Sequence, residues 1–209
     1  GNMFLNGQDV TGQRTEQLSP YVSLVYQNPE DMFIKDSIRR DIAYAMQVRQ
    51  VTDHAKRTDE LLSQFSLETL ADRDGRLLSG GQMRKASLAI GIALNPPILL
   101  LDEPTANLDI ATRHDILRTL KAIAATTDTV MIATHDMQLV CEWASRIVVL
   151  DDGKVIADGT RDDIFGNPTL LETVGIRPPE IFSMAQALDH QALLYTVEEF
   201  TSHFKEVGS

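Results

Sequence analysis

The apolar run Ile98–Leu101 ends in two adjacent carboxylates, Asp102 and Glu103, with Pro104 next. A buried strand that ends this way carries both acids to its carboxyl end. There one carboxylate can hold Mg2+ through a water, because that cation takes oxygen ligands and keeps several waters. The second can orient or deprotonate an attacking water for phosphoryl transfer. Taken alone, the pair is equally well explained as a strand end before a proline turn.

Upstream lies Leu78-Ser79-Gly80-Gly81-Gln82. Ser79 is a good N-cap, and the two glycines leave the first helical N–H groups unshielded. Such a helix end attracts anions, phosphate above all. Each glycine costs a helix about 1 kcal/mol relative to alanine, so two together favour a binding role over a cap with close backbone packing. His135 follows another apolar strand and could donate to a terminal phosphate, although a satisfied structural histidine is the commoner case. Gln27 ends a short β-rich segment, where an amide can complete a Mg2+ shell or simply occupy a polar loop. Asp109 adds a carboxylate just after the acidic pair, and by itself it reads as the cap of the next helix. The usual phosphate cradle, G-x-x-x-x-G-K-[ST], does not occur. The one Gly-Lys pair is Gly153-Lys154, with Val148 and Val155 at the positions that need Gly and Ser or Thr.

These residues need strands and helices to place them. Asn6-Gly7 signals a hairpin turn in GNMFLNGQDV. Tyr21–Tyr26 reads as a strand. From Asp36 the period changes, with Ile38, Ile42 and Ala45/Met46 on one helical face. A second helix begins near Thr52-Asp53, with Leu61, Leu62 and Phe65 inward. A long helix follows Ser79 as far as Leu94, before Asn95-Pro96-Pro97. Then come strand 98–101, helix 111–125, strand 129–134, helix 137–144, strand 146–150 and a hairpin at Asp152-Gly153. Strands alternating with helices imply a mostly parallel sheet with ligand groups at the strands' carboxyl ends. The tail from Asp162 is helical, with breaks at Pro168 and Pro178-Pro179.

Composition sets the outer limits. The 209 residues are 43% hydrophobic and 23% charged, with net charge −11 from 30 acidic and 19 basic residues. That balance argues against a nucleic-acid surface as the main partner. No apolar run approaches the ~18 residues of a membrane span. The single cysteine, Cys141, excludes an intrachain disulfide and reads as a small apolar helix residue.

In this order, Gln27, Leu78–Gln82, Ile98–Thr105, Thr105–Asp109 and His135 resemble the Q-loop, signature, Walker B, D-loop and switch histidine of the ATP-binding-cassette ATPases. The resemblance covers residues 1–160, and VYQNPEDMFI and NPTLLETVGIRPPEIFSMAQAL are similar to segments of the energy-coupling-factor and cobalt-type importer ATPases. It implies an α/β fold: a P-loop-type, mostly parallel sheet flanked by helices, with a helical subdomain at about 35–78 and a C-terminal helical extension over 161–209. It implies ATP and Mg2+ as ligands, with Asp102 and Gln27 on the metal side, Glu103 polarising water, and His135 on the terminal phosphate. Leu78, Ser79, Gly80, Gly81 and Gln82 would serve nucleotide held by a second ATPase domain, and Asp109 would communicate across that dimer. A transmembrane transporter subunit, pressed by residues 31–40, would place the chain peripherally on the cytoplasmic face of the membrane. GNMFLNG is similar to the hairpin that follows the phosphate loop in this family. The expectation is therefore an N-terminally truncated ATPase domain that neither binds nor hydrolyses ATP alone, and that self-associates through an uncovered sheet edge. The alternatives are a non-catalytic module lending its signature to a partner, and a soluble cassette protein outside transport.

Overall fold

The Asn6-Gly7 turn closes a short antiparallel hairpin, β1 (Phe4–Leu5) with β2 (Gln8–Asp9), in the computed structural model, which describes residues 1–189 and 191–207. Both turn residues have positive φ, 49° and 77°, as the tight hairpin turn requires. The chain then forms α1 (Thr15–Leu18), β3 (Val22–Val25), a 3-10 turn at Pro29–Met32, α2 (Ile38–Val48) and α3 (His54–Gln64). It continues through α4 (Gly80–Gly91), β4 (Ile98–Asp102), α5 (Ile110–Ala124) and β5 (Thr129–Ala133). Strands β3, β4 and β5 pair in that order, all parallel, with Val25 opposite Leu101 and Leu101 opposite Ile132. Each crossover carries helices, as parallel neighbours demand. Among the described residues β5 is the outermost strand on its side, and its Met131 is 61% exposed.

One apolar core holds this unit, residues 1–133, together. The faces read from sequence are the faces buried: Ile38, Ile42 and Met46 on α2, and Leu61 and Leu62 on α3, with Phe65 just beyond it. Fully burying one such side chain stabilises by roughly 1.5–3 kcal/mol. Helix α4 is shorter than its sequence suggests. It ends at Gly91, and residues 92–94 form a turn that Asn95 closes at φ 51°. That bend is set before Pro96 and Pro97, which could not continue a helix.

Residues 134–209 form a second unit with its own core. It comprises α6 (Met137–Trp143), the antiparallel pair β6 (Ile147–Asp151) and β7 (Lys154–Gly159), α7 (Arg161–Phe165), α8 (Pro168–Val174), α9 (Glu180–Leu188) and α10 (Val197–Val207). Pro168 opens α8 at its first turn, where a missing N–H costs nothing. Cys141 is 2% exposed beside Val149, Phe165 and Tyr195. The Phe182 and Tyr195 rings stack at 5.3 Å, and the Arg161 guanidinium lies 4.3 Å from the Tyr195 ring centre. The Tyr195 hydroxyl donates to Asp162 at 2.7 Å, while Arg161 pairs with Glu199 at 2.9 Å. Among the described residues, no helix is long and apolar enough to cross a membrane.

Candidate functional site

Strands β3 and β4 run side by side, so the residues that follow them emerge together at one edge of the sheet. Gln27 lies two residues past β3, and Asp102 is the last residue of β4. Both line a cavity of about 570 Å³, with Gly80, Arg84 and Asn107 also in its wall. Ligand groups gather at the carboxyl ends of parallel strands for this reason. Of the residues singled out by sequence, the cavity brings together Gln27, Gly80 and Asp102.

Glu103 turns sharply away from the strand, at φ 43°. Its amide donates to the Ala133 carbonyl at 2.9 Å, which ties the bend to β5. A side chain in the left-handed region costs about 1–2 kcal/mol, and strain of this kind collects at functional sites. Asn107, φ 59°, makes the next left-handed turn, at a residue type that tolerates it. Asp109 then caps α5, accepting from the Thr112 amide at 3.0 Å and the Thr112 hydroxyl at 2.6 Å. Those hydrogen bonds hold its carboxyl below the usual aspartate range.

The open end of α4 is a reciprocal cap. The Gln82 amide donates to Ser79 Oγ at 3.4 Å, and the Ser79 amide donates to Gln82 Oε1 at 3.1 Å. Leu78, 8% exposed, anchors the approach. The two glycines have different reasons to be glycine. A Cβ on Gly80 would meet nothing within 4 Å, so the helix end is bare there. A Cβ on Gly81 would lie 2.5 Å from Thr112 Cγ2, so that position is needed for the approach of α5. Close packing therefore accounts for Gly81 and not for Gly80.

His135 belongs to the second unit. It sits between Thr134, whose hydroxyl accepts from the Asp136 amide at 3.0 Å, and Asp136, which caps α6 through the Leu139 amide at 3.0 Å.

Arg84 is the residue that sequence reading passed over. It is 3% exposed, one turn along α4 from Gly80. Its Nη1 donates to the Tyr26 carbonyl at 2.9 Å and its Nη2 to the Gln27 carbonyl at 2.6 Å. Burial pulls its pKa down, and the negative charge of Asp102 partly offsets this. The available signal was an arginine at helical spacing from Ser87 and Leu88, on a face otherwise apolar or small.

Among the described residues there is no group of three or more His, Cys, Asp or Glu side chains able to hold a metal ion. Asp102 and Gln27 together offer one carboxylate and one amide. That donor set suits a Mg2+ that arrives on phosphate and keeps its waters, rather than an all-protein metal cage.

A protein-family model described as ABC transporter matches residues 1–106. The energy-coupling factor transporter ATP-binding protein EcfA1 of Staphylococcus aureus is 31% identical over 201 residues, covering 95% of this chain and 74% of its own. Two ABC transporter ATP-binding proteins of Methanosarcina, M. mazei and M. acetivorans, are 29% and 30% identical over 98% of this chain, which spans only 36% and 34% of their length. Among solved structures, CbiO1 from Clostridium perfringens, described as part of the ABC transporter complex CbiONQ, superposes with a TM-score of 0.71. It is 26% identical, over 88% of this chain and 75% of that one. The dimeric ATP-binding cassette MJ0796, bound to ADP and Pi in a post-hydrolysis state, gives a TM-score of 0.66 at 25% identity over 77% of this chain and 73% of that one.

Proposed function

This chain belongs to the ABC transporter ATPases, and we propose that it is the motor part of an importer of the energy-coupling-factor or cobalt type, in which ATP hydrolysis drives a membrane partner. The observation that carries the reading is the meeting of Gln27 and Asp102 at the carboxyl ends of two adjacent parallel strands, in one cavity. The similarity to EcfA1 and to CbiO1 supports the importer class.

Each residue then has a task. Asp102 holds Mg2+ through water, with the Gln27 amide beside it, and the metal when bound neutralises charge that develops on the phosphates. Glu103 accepts the proton of the attacking water. His135 donates to the terminal phosphate. Leu78, Ser79, Gly80, Gly81 and Gln82 offer a positive helix end to nucleotide held by a second cassette; the MJ0796 cassette is itself dimeric. Asp109 relays the state of one half to the other. Residues 1–160 form the ATPase domain, with the helical subdomain at about 35–78, and 161–209 form an extension. Residues 31–40 press on the transmembrane subunit, which keeps the chain peripheral on the inner face of the membrane.

The 209 residues hold no G-x-x-x-x-G-K-[ST] segment, so they do not cradle the triphosphate unaided. Calorimetry of this chain with Mg-ATP is expected to show no tight binding. Fusing a G-x-x-x-x-G-K-[ST] phosphate-loop segment ahead of Gly1 is expected to create ATP turnover. Tight stoichiometric binding by the chain alone would overturn the first statement, and a fusion that binds ATP without turnover would overturn the motor reading.

A further inference from the structure

Arg84 has no part in the roles just assigned, yet its placement is costly. A guanidinium that is 3% exposed gives up most of its hydration, and its Nε has no hydrogen-bond partner among the described residues. Packed apolar side chains of similar volume commonly stabilise a fold as well or better than a buried charge, so stability alone does not call for arginine here. Its planar fork does something no other side chain can. It reaches two successive carbonyls, Tyr26 and Gln27, with two fixed donors.

The far end of the same segment is held in the opposite sense. Asp41, on α2 and 3% exposed, accepts from the Ile34 amide at 2.9 Å and the Lys35 amide at 2.8 Å through one oxygen. Residues 26–35 are thus gripped by a cation on carbonyls at the start and an anion on amides at the end. Between the grips, Phe33 is 5% exposed and sits so close to Gly75 that a Cβ there would lie 2.5 Å from its ring. The segment is a braced piece rather than a free loop.

On α4, Gly80, Met83 and Arg84 fall at i, i+3 and i+4, so they share the face that walls the cavity. The first residue of this helix, Gly80, walls the cavity, and the next turn holds the backbone of Gln27. We propose that Arg84 is a positioning residue that fuses α4 to the Gln27 turn, so that the Ser79–Gln82 end and the Gln27 amide shift as one body when nucleotide is engaged. This rests on the reading of Gln27 as a nucleotide-site residue. Movement of either end is then felt at the other without a separate relay.

Two measurements test it, the first on the phosphate-loop fusion described above and the second on the chain itself. In steady-state ATPase assays, Arg84→Lys keeps the charge but loses the fork; kcat is expected to fall about 10-fold, with KM for ATP changed less than about 3-fold. In a Gln27→Ala background the same change is expected to cost less than about 2-fold, because the two act as a unit. Additive losses would overturn the coupling. In hydrogen exchange without nucleotide, Arg84→Lys is expected to speed the amides of 26–28 at least about 10-fold while those of 86–91 stay within about 2-fold. Uniform acceleration would mean general loosening, and no acceleration would mean no grip; either overturns the proposal. Should Arg84→Lys not fold, Arg84→Gln, which still donates to one carbonyl, carries both measurements. A phosphate-loop fusion with no ATP turnover would remove the motor reading instead, and the exchange data alone would then decide the grip.

Discussion

Gly81 and Thr112 approach so closely that a methyl group on the glycine would lie 2.5 Å from Thr112 Cγ2. A methyl group on its neighbour Gly80 would meet nothing within 4 Å. Alanine at the two positions should therefore act in opposite ways. Gly81→Ala is expected to destabilise the chain by about 1–3 kcal/mol through overpacking. Gly80→Ala is expected to stabilise it by up to about 1 kcal/mol through helix propensity. Urea denaturation of both variants reads this directly, and a stabilised Gly81→Ala would refute the packing account.

The capping pair gives a second test. Ser79 and Gln82 each satisfy the other's backbone amide. Ser79→Ala is expected to cost about 1 kcal/mol, with Ser79→Asn nearly neutral because asparagine caps equally well. If both variants lose the same stability, the hydroxyl is not acting as a cap.

Glu103 combines a general-base candidate with a left-handed backbone. In the phosphate-loop fusion, Glu103→Gln is expected to lower ATP turnover at least about 100-fold while nucleotide binding persists. Glu103→Gly relieves the backbone cost, so its thermal midpoint is expected to exceed that of Glu103→Gln. Unchanged turnover in the glutamine variant would assign the base elsewhere.

Asp41 and Asp109 should titrate with opposite consequences. Hydrogen bonds from Thr112 hold the Asp109 carboxyl low. Its stabilising contribution is therefore present above about pH 4 and is lost as pH falls through the lowered folded value. Burial raises Asp41, against the pull of the Ile34 and Lys35 amides. Its contribution is full below about pH 4 and is lost as pH rises through the raised folded value. From acid to neutral pH, Asp41→Asn is expected to gain stability relative to wild type, and Asp109→Asn to lose it. Urea midpoints at stepped pH report both, and curves parallel to wild type would remove the electrostatic explanation.

Cys141 offers a probe of the second unit. Burial pushes its thiol up to about 12, and only the thiolate is reactive. At neutral pH, labelling of the folded chain is expected to run at least about 100-fold slower than labelling in denaturant, with its rate set by opening of residues 134–209. Rapid native labelling would show that this core opens readily.

Much of the molecule was legible in advance because period and punctuation agreed. Ile38, Ile42 and Met46 marked their helix face, Asp152-Gly153 marked the second hairpin, and Asp109 announced α5. The acidic pair at the end of β4 was readable for the same reason, since an apolar run ending in two acids has few places to go. Asp41 was not legible, and Arg84 was only faintly so, through the apolar or small residues at helical spacing around it. A charged residue on a helix is normally solvated, and what buries these two is a contact with backbone carbonyls or amides supplied by another segment. Backbone groups are the same at every residue, so no side-chain pattern records them. The end of α4 was misplaced for a related reason: its turn is closed by the left-handed Asn95, a choice made before the prolines are reached.

The outermost strand of the parallel sheet makes sample concentration an experimental variable. Strand β5 has one edge without a ladder partner among the described residues, and a solvent-facing methionine at 61% exposure. Such an edge is a template for pairing between chains. Sedimentation is expected to show average mass rising with concentration, and Met131→Lys is expected to hold the chain monomeric at concentrations where wild type assembles. A lysine at that single position would turn an aggregation hazard into a sample suited to long measurements.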